Sequence, residues 1–409
     1  MQALVFESHL GRIAATRVLG ALWSGAYVGP TAPLRLRELP DPPLPGDDWV
    51  VLRTRLCGIC GSDAKQVFLD GAYDNPMTAL ISFPQVLGHE VVADVERVGP
   101  AVRGLAPGTR VVLNPWLSCA PRGLAPCSYC EQGDYAQCRS FARGRLAPGI
   151  HHGNSATATG GFATRLPAHE SQCIPVPPDV SDEDAVLADP FSVSLHAVLR
   201  EPPPAGGSAL VYGCGTLGLL AVAILRALHP DVRVLAVARF PHQAELARAL
   251  GAARVLPHRP ARALIDALGA ETGAEVQRPW RGLPMLNGGV DAIYDAVASA
   301  ETLEVGLRVA APRARIVLTG VATPRRFEWT PLYWKEVAVV GSNAFGVERL
   351  EGRAQHAIAW YFELLRRHGI APARLVTHRY PLARWREALL AARAQGRSGA
   401  VKVAFDLRG

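Results

Sequence analysis

The chain has 409 residues, of which 49% are hydrophobic and 19% charged, which suits two domains with ample cores and excludes a disordered or low-complexity protein. Its net charge of +7 is almost all arginine, with lysine only at 65, 335 and 402, and the arginines are dispersed, so the charge gives no nucleic-acid footprint. No apolar run is long enough to span a bilayer, and the opening residues, Met1 followed by QALVF, carry no basic and apolar leader. The expected compartment is therefore the reducing cytoplasm, with neither nucleic acid nor membrane as partner.

From residue 1 to about 190 the pattern is short β-like runs broken by Pro and Gly, as at 49–57, 90–99 and 110–116, which predicts an irregular β-rich domain. From about 195 the pattern changes to strand alternating with helix. Strands are expected at 209–213, 232–238, 291–297 and 314–321, with helices at 216–229 and 243–250 between the first of them. That alternation predicts a parallel sheet covered on both faces. The chain closes with a helix over 357–368, the run 375–382, a helix over 384–394 and a terminal strand at 400–407. The segment 277–288 reads as a Pro-marked loop.

Four of the eight cysteines, Cys119, Cys127, Cys130 and Cys138, fall within twenty residues on a segment rich in Gly and Pro. Eight cysteines in a chain of this length do not make a small disulfide scaffold, and buried core thiols do not gather on such a loop. Four thiolates on a loop, with two residues between Cys127 and Cys130, are the pattern of a structural tetrahedral zinc.

The run Gly213-Cys214-Gly215-Thr216-Leu217-Gly218 follows one predicted strand and opens a helix. In that context it is a dinucleotide fingerprint. Gly213 permits a tight turn, Gly215 lets backbone approach a pyrophosphate, and Gly218 allows close packing of helix on strand; the diphosphate belongs at the helix N-terminus. The next strand ends in Ala238-Arg239, with alanine where an NAD-binding carboxylate is expected. No acid there repels a 2′-phosphate, and Arg239 can pair with one, so NADP(H) is expected over NAD(H), with His242 assisting. The alternative for Arg239 is a side chain that merely faces solvent.

Two further runs complete an ordered set, Gly58-Ile59-Cys60-Gly61-Ser62-Asp63 and Gly88-His89-Glu90. Together with the cysteine lobe and the glycine fingerprint they make the chain resemble the zinc-dependent alcohol dehydrogenases of the medium-chain dehydrogenase/reductase superfamily, from about residue 35 to 405. The resemblance implies an α/β protein with a GroES-like β-rich catalytic domain over 1–194 and 347–409, and a Rossmann doubly wound cofactor domain over 195–346. It implies two zincs per chain, the catalytic one held by Cys60, His89 and a third ligand that the matching segment places at Asp189. The alternative for that aspartate, standing before a helix, is an N-cap.

By the same resemblance Ser62 passes the substrate proton, Asp63 orients the zinc ligands, and Glu90 is a nearby carboxylate able to move onto the metal. Ser62 as a helix cap and Glu90 as a structural ion-pair partner are the alternatives. The reaction implied is hydride transfer between an alcohol and a nicotinamide, with zinc stabilising the alkoxide. The chain departs from many relatives in having Lys65 two residues after Asp63, in place of a relay histidine, and seven residues between Cys119 and Cys127. Lysine relays protons only if its pKa is depressed. Cys57, Cys173 and Cys214 are expected as non-ligands, and Tyr73, Phe83 and Trp116 as pocket aromatics. A homodimer or homotetramer acting on a secondary alcohol or polyol is the expected whole. A zinc-free quinone reductase of the same superfamily and a zinc-ribbon binding module are the alternatives.

Overall fold

The strand Trp49–Gly58 is the spine of the first unit, buried at nearly every position. It pairs antiparallel along its length with Glu90–Val98. On its other edge the first half takes Arg165–His169 and the last residues take Lys402–Asp406. The sheet continues through Arg110–Leu113 to Cys173–Pro175 on one side and Val376–Pro381 on the other, seven strands in all. Both chain ends thus build one β-rich unit, and its core gathers Val50, Leu52, Val91, Ala93, Val111 and Phe405 from these strands, with Phe162 from the segment before Arg165–His169.

Register places the chemistry. Gly58 lies opposite Glu90 in one pairing and opposite Ala404 in the other. The chain beyond Gly58 leads to Cys60, and the residue before Glu90 is His89. Lys402 sits two residues before Ala404, so all four emerge at the same end of three adjacent strands. A Cβ on Gly58 would come within 2.0 Å of Glu90 Oε2, so only glycine leaves room for that carboxylate.

This computed structural model describes residues 1–71, 75–320 and 326–408. They form two compact units: residues 1–189, 358–362 and 371–409 in one, and 190–357 and 363–370 in the other. The seams fall at 189/190, 357/358, 362/363 and 370/371, beside the two expected at 194/195 and 346/347. The helices Ala188–Arg200 and Ala357–His368 each begin or run across the division, so the change of unit occurs inside or beside a helix and not at a sequence break.

The second unit is built on a six-stranded parallel sheet. Its order is Arg254–Pro257, Arg233–Ala238, Ser208–Tyr212, Val290–Asp295, Ala310–Leu318, Ala338–Gly341. The first strand in the chain lies in the middle and the order reverses beside it, the arrangement of the doubly wound dinucleotide-binding fold. The strand Ser208–Tyr212 is buried at its last four positions, as a strand covered on both faces must be.

Several elements differ from the sequence reading, among them the helix Ala300–Val309 and the outer strands Arg254–Pro257 and Ala338–Gly341, which it left unassigned. A helix, Leu10–Leu22, follows the first strand; of its residues only Thr16 is buried while Leu10, Val18 and Leu22 are exposed, so it shows no core-facing apolar stripe to read. The helix Ala261–Thr272 was unassigned. The segment read as a loop over 277–288 ends in a small antiparallel pair, Glu275–Gln277 with Met285–Asn287. Among the described residues no helix is long and apolar enough to cross a membrane.

Candidate active site

In the first unit the four sulfurs of Cys119, Cys127, Cys130 and Cys138 lie within 4.8 Å of one another, Cys119 and Cys138 at 3.5 Å. Four thiolates about 2.3 Å from one zinc would be about 3.8 Å apart, so the lobe fits that ion with little movement. Burial opposes ionisation of Cys127, Cys130 and Cys138, but at Cys127 the backbone N–H groups of Arg139, Cys130 and Tyr129 outweigh it and draw the thiol down to about 6. Short turns, Ser128–Glu131 and Tyr135–Gln137, carry the lobe.

The long interval between Cys119 and Cys127 has a use. It carries Arg122, whose side chain is 1% exposed. Its guanidinium donates to the carbonyls of Leu117, Arg143, Leu146, Ala147 and Gly149 at 2.7–3.3 Å. All five N–H groups are thereby spent, and the lobe is tied to the segment that follows it.

At the strand ends Cys60, His89 and Glu90 bring one ligand atom each within 4.8 Å of one another. Asp63 assembles them: its carboxylate accepts from the backbone N–H of Cys60 at 3.0 Å and from that of Gly88 at 3.3 Å. Its Oδ1 also lies 3.7 Å from His89 Nδ1, the approach of a carboxylate that orients a metal-binding imidazole. Burial alone would depress the His89 imidazole, but Asp63 and Cys60 reverse that and hold it well above the ordinary histidine range.

Asp189 lies outside that three-residue set. It does not precede its helix as a cap would; it sits within the first turn of Ala188–Arg200, is 7% exposed, and its Oδ2 has no hydrogen-bond partner among the described residues. Burial, reinforced by the like charge of Glu90, pushes its carboxyl up to about 7 against the pull of His89 and Lys402. Glu90 is different, because both its oxygens accept from Lys402 Nζ, at 2.7 and 2.6 Å. One ammonium and the His89 imidazole therefore stand among one thiol and three carboxylates at 63, 90 and 189. A divalent cation would correct that imbalance and give the Asp189 oxygen a partner, so these residues suit a zinc.

Ser62 is exposed within the helix Gly61–Val67, whose N-cap is Cys60 and not Ser62. Lys65 is half-buried on the same helix, and burial lowers its ammonium against the charges of Asp70 and Cys60. Cys57, Cys173 and Cys214 are buried and stand apart from both clusters among the described residues. Phe83 packs on Phe6, ring centroids 6.0 Å apart. Tyr73 lies outside the described residues. Trp116 meets the ring of His151 edge-on at 5.8 Å, and His151 in turn lies 4.5 Å from the ring of His89.

Lys402 and Arg122 were not singled out from the sequence, and His151 stands out there only as part of the run His151-His152-Gly153-Asn154, within a stretch (141–161) able to shape or close over the pocket. No local motif assigns the three a role; strand register, the inserted lobe and a β-bridge between Trp116 and His151 bring them to the site.

In the second unit Gly213 ends the strand Ser208–Tyr212 at φ +94° and Gly215 caps the helix Thr216–Leu228, Leu217 lying in its first turn. A Cβ on Gly218 would lie 1.8 Å from the Gly213 carbonyl, whereas one on Gly215 would meet nothing within 4 Å. Gly218 is thus required by packing, and the space over Gly215 at the helix N-terminus suits a diphosphate. Arg239, at the end of the neighbouring strand, is exposed, its guanidinium 5.4 Å from the Phe240 ring. His242 stacks on that ring, and its Nε2 is buried without a hydrogen-bond partner among the described residues.

Two family descriptions match the chain: alcohol dehydrogenase GroES-like domain over residues 46–178 and zinc-binding dehydrogenase over residues 216–361. The chain is 27% identical to the (R,R)-butanediol dehydrogenase of Saccharomyces cerevisiae across 77% of its own length and 81% of that protein. It is also 27% identical to the sorbitol dehydrogenase of Homo sapiens, across 87% and 88%. The solved galactitol-1-phosphate dehydrogenase of Escherichia coli shares the fold, with a TM-score of 0.72 at 21% identity, covering 99% of this chain and all of that one.

Proposed function

Since this chain belongs to the zinc-dependent alcohol dehydrogenases of the medium-chain dehydrogenase/reductase superfamily, we propose that Cys60, His89 and Asp189 hold its catalytic zinc and that it prefers NADP(H). The enzyme interconverts an alcohol and its ketone or aldehyde by hydride transfer with NAD(P)(H). Secondary alcohols and polyols are the substrates proposed. The observation that carries the ligand set is the buried, unpartnered Asp189 Oδ2 beside a Glu90 already engaged by Lys402. In the resting protein Asp189, not Glu90, is the carboxylate in need of a cation.

Bound zinc supplies a Lewis acid that favours the negatively charged form of the substrate oxygen, and the nicotinamide accepts or returns the hydride. The protein's residues do the rest. Asp63 fixes the backbones of Cys60 and Gly88, and so the spacing of thiolate and imidazole. Lys402 neutralises Glu90 and keeps it off the ligand set until it is released. Ser62, exposed on the first turn of its helix, takes the substrate proton, and Lys65, lowered by burial, passes it to solvent. In the second unit Gly215 gives the diphosphate its approach, with Thr216 at the head of the helix, and Arg239 with His242 receives a 2′-phosphate.

A second zinc, in the lobe of Cys119, Cys127, Cys130 and Cys138, is structural in this reading, and the oligomer is a cytoplasmic dimer or tetramer. Metal analysis and an alcohol screen followed by absorbance of the reduced nicotinamide test the whole. The expected result is two zincs per chain in the wild type, and one, with turnover abolished and the fold kept, in Cys60→Ser. A metal-free active enzyme would replace this reading with the zinc-free quinone reductase.

A further inference from the structure

The ring of His151 stands 4.5 Å from that of His89, yet nothing in the mechanism above uses it. Its setting is unusually well determined. The residue bridges to Trp116 in an antiparallel pair, and the Trp116 ring meets it edge-on at 88°. Asn154 Oδ1 accepts from the backbone N–H groups of Ile150 and His151 at 2.9 and 3.1 Å, closing the turn that presents it. His152, fully enclosed, anchors the next position through Thr159 and Gln172. Arg122 holds the approach to this turn through the carbonyls of Leu146, Ala147 and Gly149. Five constraints from four segments keep one imidazole in place, which is how a binding group is preorganised.

Its chemistry is equally defined. Nδ1 lies against the carbonyl of His152, and a carbonyl only accepts, so Nδ1 carries the proton. Nε2 then presents a lone pair, and among the described residues it has no hydrogen-bond partner. An acceptor at that place, beside a ligand to the metal, is of no use to a substrate whose only hydroxyl is the reacting one. It suits a substrate with a second hydroxyl on the neighbouring carbon.

We propose that His151 is a specificity-determining residue whose Nε2 accepts a hydrogen bond from the hydroxyl adjacent to the reacting one, so that vicinal diols and polyols are selected over simple alcohols. The proposal rests on the reading of Cys60, His89 and Asp189 as the catalytic zinc site. A simple alcohol in the same place leaves the acceptor dry and unpaired, and that penalty is what discriminates.

The test compares 2,3-butanediol with 2-butanol in the zinc-loaded wild type and in His151→Phe. Two readouts are taken: the ratio of kcat/KM for the two alcohols, and the ratio of their dissociation constants by calorimetry with saturating reduced nicotinamide, where no turnover occurs. Loss of one such hydrogen bond predicts that the diol preference falls by about tenfold or more in both ratios. A smaller change overturns the proposal. His151→Asn keeps a donor for the His152 carbonyl while removing Nε2; it gives the same answer if the phenylalanine variant does not fold. A wild type that turns over neither alcohol defeats the reading of the function, and the calorimetric ratio still decides the role of His151.

Discussion

Lys402 donates to both carboxylate oxygens of Glu90, at 2.7 and 2.6 Å, although 312 residues separate them in the chain. Both side chains are almost fully buried, at 4% and 1% exposure. Glu90 follows the proposed ligand His89, so this ion pair decides which carboxylates beside the metal are free.

Removing one member of a buried pair leaves the other charge uncompensated, a cost of about 3–5 kcal/mol. Lys402→Met is therefore expected to unfold at markedly lower temperature than the wild type. Adding Glu90→Gln to it should recover much of the loss. Calorimetric unfolding of the two variants checks this, and a Lys402→Met protein as stable as the parent would show that the pair carries no such weight.

The cysteine lobe predicts a stability effect separable from catalysis. Cys130→Ser removes one of four sulfurs that lie within 4.8 Å of one another, so bound zinc should fall by one per chain and heat resistance should drop. Zinc content and thermal inactivation half-life are the measurements. A variant with full zinc and unchanged half-life would contradict a structural metal there.

For the cofactor, Arg239→Ala should lower kcat/KM with NADP at least tenfold and leave NAD within a few-fold, because a charge-assisted bond to the 2′-phosphate is lost with one cofactor only. Equal losses with both would mean the guanidinium contacts something common to them.

Acid should weaken the second unit through His356. Burial depresses its imidazole from 6.5 to about 4. Between those values the unfolded chain binds a proton that the folded chain refuses, so stability is present above the higher value and is lost as pH falls towards the lower. The loss is on the order of 3 kcal/mol. His356→Gln should flatten the fall of melting temperature between pH 6.5 and 4 relative to the wild type. Release of zinc at low pH is common to both proteins and cancels in the comparison.

Much of the frame was open to reading along the chain. The parallel sheet announces itself because its strands are buried on both faces and read as unbroken apolar runs, such as Ala209 to Tyr212. The glycine turn is legible because each glycine answers a local need: a positive φ at Gly213, an open approach at Gly215, a close packing at Gly218. The helix Leu10–Leu22 was not legible, since its apolar residues face outward and no period points to a core.

By itself the sequence determined the cysteine lobe, the glycine turn and the alternation of strand and helix, because these depend on spacing within a few residues and on side-chain chemistry. Tertiary structure alone decided that Lys402 would occupy Glu90 and leave Asp189 without a partner, and that Arg122 would brace the turn holding His151 beside His89. Those relations join residues far apart in the chain, through strand register and enclosure. A buried charge is governed by every group packed around it, and no stretch of sequence contains them all.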